Sequence, residues 1–174
     1  MSELFQNQSI SIEDLPSVDL NDFKPIEKSY KFFLHLRNGV FLLVLFGLAL
    51  LLQYFGNTEL PDWYFASGYI GIFVFWILSF VLVELGFPRK QYLLRRHDLL
   101  YKTGYLMQTM TAVPKNRIQH VEIRQSVLLR LFKLSKLVVY TAGGSSSDLS
   151  IPGLKPEDAE LLKEHISKSI SEHE

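Results

Sequence analysis

Two long apolar runs, Gly39 to Phe55 and Phe65 to Phe87, lie back to back with only a nine-residue spacer between them that carries no Lys or Arg. As helices rising about 1.5 Å per residue they reach roughly 26 and 35 Å, enough to cross a hydrocarbon core of about 30 Å. A helix keeps every backbone hydrogen bond within the segment, which lipid demands and an isolated strand cannot supply. The runs therefore predict a two-helix transmembrane hairpin, and whatever follows Pro88 must work beside a membrane.

Flanking charge predicts the orientation, because Lys and Arg are retained on the cytoplasmic side. Lys28, Lys31 and Arg37 precede the first run, and Arg89, Lys90, Arg95 and Arg96 follow the second, whereas the spacer from Gly56 to Tyr64 holds Glu59 and Asp62. Tyr54, Trp63 and Tyr64 suit the outer interface as aromatic anchors. Both termini are expected in the cytoplasm of a multi-pass protein of a bacterial cell membrane. The first run is not expected to be a cleaved leader: it starts near residue 39, lacks an Ala-x-Ala site and is followed at once by a second run.

Glu84 is the one charged residue inside either run. Charge in lipid is costly enough to hint at function, but Glu84 lies about one turn from Arg89, and snorkelling towards the interface is the plainer expectation. Ser67 and Gly71 form a small-x-x-x-small pair that would let two helices approach closely.

The hairpin divides the chain into an N-terminal arm, residues 1–38, the spans, 39–87, and a C-terminal region, 88–174, the only part long enough to bury a core of its own. Zero net charge conceals an asymmetry, since the chain from Arg89 onward holds 14 basic and 9 acidic residues. An anionic inner leaflet would favour such a balance. The absence of cysteine excludes disulfides, thiolate metal sites and cysteine nucleophiles. The arm up to about Asp22 is polar and aperiodic and reads as flexible; from Ile26 to Arg37 the pattern suits an amphipathic helix lying in the membrane plane.

After Pro88 the pattern shortens to alternating stretches with regular turn residues, as in a compact β fold. Tyr92–Arg96 and Leu99–Lys102 flank His97-Asp98 as a hairpin, and Gly104 breaks the chain before Tyr105–Thr109. Arg117–Gln125 alternates, with Val121 and Ile123 opposite His120, Glu122 and Arg124. Leu137–Ala142 reads as a strand ending at Gly143-Gly144, and Asp148–Ile151 as another ending before Pro152-Gly153. Pro156, Glu157 and Asp158 then open a helix whose Ala159, Leu162, Ile166 and Ile170 form one stripe.

These pieces carry a resemblance. Tyr92-Leu-Leu-Arg-Arg-His-Asp-Leu-Leu-Tyr-Lys-Thr-Gly104, Val113-Pro followed by Ile118-Gln and Val121, Gln125 to Phe132, Thr141-Ala-Gly143 and Pro156-Glu-Asp-Ala159 occur in an order and spacing that resembles the bacterial PH-like domain of the YdbS-like membrane-flanked proteins. The likeness implies an α+β, mainly β architecture: a bent antiparallel sheet or barrel with a C-terminal helix, attached to the two spans. It implies no reaction, and by analogy it suggests association with a larger membrane protein bearing related domains.

Candidate chemistry is sparse. His120 and Glu122 would share a strand face and His165 lies on the last helix, but no His-Glu-x-x-His or comparable ligand spacing occurs, so no metal, cofactor or catalytic residue is assigned. Asp98 suits a turn better than acid–base work. Ser145-Ser-Ser147 lacks both the Gly-x-Ser-x-Gly elbow and the phosphate-loop frame. Arg89, Lys90, Arg95 and Arg96 are the candidate lipid-facing cations. Ser126 would cap a short helix in which Leu128, Leu131 and Phe132 cover the sheet, leaving Arg130 and Lys133 as a candidate interaction surface.

The resulting expectation is a non-catalytic, membrane-anchored interaction module whose partners are the lipid bilayer and a membrane protein with related domains, or a second copy of itself, and not nucleic acid. The alternatives are a domain that senses anionic lipid through Arg95 and Arg96, or a subunit of a transporter or membrane enzyme built around Glu84.

Overall fold

The structure is a computed structural model that describes residues 22–56, 60–142 and 149–171, with the side chains of residues 169–171 left aside. The expectations for the arm before Asp22, for Glu59 in the spacer, for Gly143 to Asp148 and for the Ile170 side chain lie outside those residues.

Helices α1 (Ser29–Phe55) and α2 (Asp62–Gly86) form the hairpin. Both are long and apolar enough to cross a membrane, and only 6% of each apolar window is buried within the chain, unlike a helix at the centre of a soluble core. They run antiparallel, pinned near one end by an Asn38 Nδ2 to Ser79 Oγ hydrogen bond of 2.7 Å and near the other by Tyr69 Oη donating to Gln53 Oε1. The Ser67–Gly71 pair does not join them: a Cβ added at Gly71 would meet open space, and Ser67 donates to the Tyr64 carbonyl of its own helix.

The stretch expected to lie in the membrane plane is instead the beginning of α1. Tyr30 and Leu34 are buried in the core of the β domain, so the apolar face of these turns packs on protein rather than resting on lipid, and the helix runs unbroken into the span.

Among the described residues, seven strands form two antiparallel sheets. In the first, β1 (Lys24–Pro25), β2 (Gln91–Leu94), β3 (Asp98–Thr103) and β4 (Thr109–Pro114) lie side by side in that order. The expected β2–β3 hairpin is present, with Leu94 opposite Leu99 and Gln91 opposite Lys102. Gly104 turns the chain at φ +97°, where a Cβ would stand 1.9 Å from the Met107 carbonyl oxygen; β4 begins beyond that turn, at Thr109. The second sheet is β5 (Ile118–Arg124), β6 (Ser135–Thr141) and β7 (Leu149–Leu154).

Strand β7 does not stop before Pro152 but continues to Leu154. A proline is tolerated because β7 is an edge strand and the register shifts by a bulge between Ser135 and Lys136 where Pro152 pairs. Helix α4 (Pro156–Ser171) closes the fold over β5 and β6.

One core joins all these parts. Leu99, Tyr101 and Val113 come from the first sheet, Leu137, Val139 and Ile151 from the second, Ala159, Leu162 and Ile166 from α4, and Ile26, Tyr30 and Leu34 from the chain before the first span. The chain between β1 and α1 is also held by backbone: Ile26 N–H donates to the Lys90 carbonyl at 3.3 Å and Glu27 N–H to the Gly153 carbonyl at 2.8 Å. The hairpin and the β domain are therefore fused through packing as well as through the peptide chain.

Candidate functional site

Lys31, His35 and Asn38 recur at helical spacing on the face of α1 that meets α2. Glu84 accepts from Lys31 Nζ at 3.0 Å and lies 3.1 Å from His35 Nε2. The lone acid of the spans therefore does not reach alone towards water; it is paired across the helices, with Asn38–Ser79 one turn deeper.

Beside this cluster the sheet returns to the base of the hairpin. Arg89 lies over the Tyr105 ring, 4.8 Å from its centroid, and Lys90 Nζ donates to Thr103 Oγ1 at 2.9 Å. Burial, and next the nearby charge of Arg37, push the Lys90 ammonium below the usual lysine range. Arg37, Lys90 and Arg89 thus gather at one level. Arg95 and Arg96 do not join them: they sit past the other end of β2, about 13 Å of extended chain away. There Arg95 forks onto Asp98, with Nε to Oδ1 at 2.7 Å and a second bond to Oδ2. That hydrogen-bonded carboxylate raises the Arg95 guanidinium further still, and Asp98 serves the turn.

Between Arg37 and Lys90 opens a cleft of ≈ 460 Å³ whose apolar wall includes Phe75, Leu78 and Leu82 of α2 and whose polar side includes Asn38 and Ser79. Arg37 escapes a reading of the sequence because a basic residue before a span is already explained by topology. Only the fold places it across from Lys90, 53 positions further along the chain.

Helix α3 (Val127–Leu131) is capped as expected, Ser126 Oγ accepting from Leu129 N–H at 3.3 Å. Its packing differs from expectation. Leu129 is the buried residue, Phe132 packs partly on the core, and Leu128 and Leu131 are exposed together with Val127. A five-residue helix has one inward side chain to offer. Phe132 meets Phe33 of α1 edge to face, with centroids 6.0 Å apart, and Arg130 and Lys133 are exposed.

On β5 and β6 the alternation holds. His120 stacks on Tyr140 at 4.2 Å, and Glu122 accepts from Arg124 Nε at 2.8 Å and from Tyr140 Oη at 3.3 Å. Arg124 thereby keeps the Glu122 carboxyl below the usual carboxylate range. Among the described residues no three His, Asp or Glu side chains converge as metal ligands would.

Comparison with known proteins covers most of this arrangement. The family described as "Bacterial PH domain" matches residues 33–170, from the first turns of α1 to the end of α4. The UPF0699 transmembrane protein YdbS of Bacillus subtilis (strain 168) is 29% identical over 136 residues, covering 75% of this chain and 79% of that protein. The UPF0699 transmembrane protein YdbT of the same organism is 22% identical over 80 residues, 46% of this chain but 16% of that protein. No solved structure matches. With its family match spanning most of α1, the whole of α2, strands β2 to β7 and nearly all of α4, this chain is a membrane protein that belongs to the bacterial PH domain family.

Proposed function

We propose that the protein is a non-catalytic interaction module, held by a multi-pass hairpin against the cytoplasmic face of a bacterial membrane, and that its partner is a larger membrane protein carrying related domains. The observation that carries this reading is the shared core: Ile26, Tyr30 and Leu34 pack among Leu154 and Ile166, so the domain keeps one pose relative to the membrane and presents the same edges to every neighbour. Confinement to a surface raises the effective concentration for a second membrane protein without any new contact. Strand β4, terminal in its sheet and largely exposed from Thr109 to Ala112, offers unpaired backbone groups suited to strand addition. The segment shared with YdbT is a small fraction of that several-fold longer chain, which fits a partner built on the same domain. The charge pattern supports cytoplasmic sidedness, with Lys28, Lys31, Arg37, Arg89 and Lys90 flanking the apolar runs and no Lys or Arg in the spacer.

The test is purification of the full chain from its native membranes in mild detergent. Stoichiometric recovery of a longer transmembrane protein with bacterial PH domains is expected. A chain that emerges alone as a monodisperse monomer overturns the proposal, and a defined homo-oligomer replaces the hetero-partner with a second copy.

A further inference from the structure

We propose that the cleft between α1, α2 and the start of β2 binds one anionic phospholipid, its phosphate held between Arg37 and Lys90 and an acyl chain laid along Phe75, Leu78 and Leu82.

Charge and position argue for this occupant. Both cations line the same cleft of ≈ 460 Å³, and among the described residues neither forms an ion pair with a carboxylate. Glu84, the nearest acid of the spans, is already engaged by Lys31 and His35. The polar contacts the two cations do make are to neutral groups, Arg37 Nη2 to Asn38 Oδ1 at 3.3 Å and Lys90 Nζ to Thr103 Oγ1 at 2.9 Å. Two like charges facing one space repel each other; burial first, and that repulsion second, lower the affinity of Lys90 for its proton. An anion between them would remove the conflict, and a phosphate can accept from guanidinium and ammonium together.

The wall of the cleft selects among anions. Phe75, Leu78 and Leu82 recur along one face of α2 within the apolar run and are exposed, so they contact lipid chains in a membrane. Arg37 and Lys90 close the same groove at its base, where the run gives way to polar residues and headgroups begin. Free phosphate would use the cations and leave this wall unoccupied; a phospholipid uses both.

The experiment is native mass spectrometry of the purified full chain after exchange into detergent with either phosphatidylglycerol or phosphatidylcholine, with inorganic phosphate as a third arm. The expected result is one retained phosphatidylglycerol, favoured about tenfold or more over phosphatidylcholine. That preference should vanish in the Arg37→Gln/Lys90→Gln double variant and persist in Arg96→Gln. Leu78→Trp, which fills the wall without altering charge, should expel the lipid as well, and so tests the site independently of whether the double variant folds. Equal retention of the two lipids overturns the proposal. So does displacement of the lipid by equimolar phosphate, or equal loss in Arg96→Gln, which would indicate diffuse surface attraction.

Discussion

The Tyr30 ring rests on the backbone of Gly153 so closely that a Cβ at position 153 would stand 2.6 Å from Tyr30 Cγ. Gly153 also has φ +75°, a conformation that L side chains rarely adopt. Here the first turn of a membrane helix and the last strand of the second sheet touch, so the joint between hairpin and domain depends on a missing side chain.

Gly153→Ala should therefore destabilise the folded chain by about 2–4 kcal/mol, part from overpacking and part from the backbone. Denaturant unfolding in detergent measures it. In a Tyr30→Ala background the same substitution should cost only the backbone part, about 1–2 kcal/mol. Equal costs in both backgrounds would refute the contact.

The Glu84 cluster should act as a polar clasp between the spans. Glu84→Gln is expected to weaken helix–helix association, as loss of a polar contact between spans does. A double-mutant cycle with Lys31→Met should return a non-zero coupling of favourable sign, and additive single effects would show that the two do not interact.

Tyr101 contributes to the alkaline limit, beside Tyr30 and Tyr92, whose phenols burial also raises. Burial pushes its phenol up to about 12, with a smaller opposing effect from hydrogen bonding to Thr103. A tyrosine that ionises later in the folded than in the unfolded state leaves stability unaffected below pH 10, and removes it as pH climbs from about 10 to 12. The loss approaches about 2–3 kcal/mol at the top of that window. Tyr101→Phe should shift the alkaline unfolding midpoint upwards, followed by fluorescence, and an unchanged midpoint would contradict the assignment.

Because the chain has no cysteine, single thiols report sidedness without background. In intact spheroplasts a membrane-impermeant maleimide should label Pro61→Cys and spare Arg117→Cys until the membrane is opened. The reverse pattern would invert the proposed topology.

The sequence declared those elements whose signal is local. The two runs, the β2–β3 hairpin around His97-Asp98, the alternation through Val121 and Ile123 and the stripe of Ala159, Leu162 and Ile166 each follow from a repeat readable within a few turns or strand residues. The misreadings arise where a distant partner decides. Ile26–Arg37 has an amphipathic pattern that suits a membrane surface and a protein core equally, and only β7 brings the core that Tyr30 enters. Pro152-Gly153 is a stop signal unless a bulge opposite absorbs it. Arg37 and Lys90 are ordinary flanking charges until the fold sets them across one cleft, whereas Arg95 and Arg96, adjacent to Lys90 on paper, are carried away by a short strand.

Since Ile26, Tyr30 and Leu34 line the same core as Ile166, the domain is completed by the residues that leave the ribosome early and those that leave it late. Its early wall is committed to the bilayer before its closing helix has been synthesised. A polypeptide whose first helix is misplaced therefore leaves that core without one of its walls.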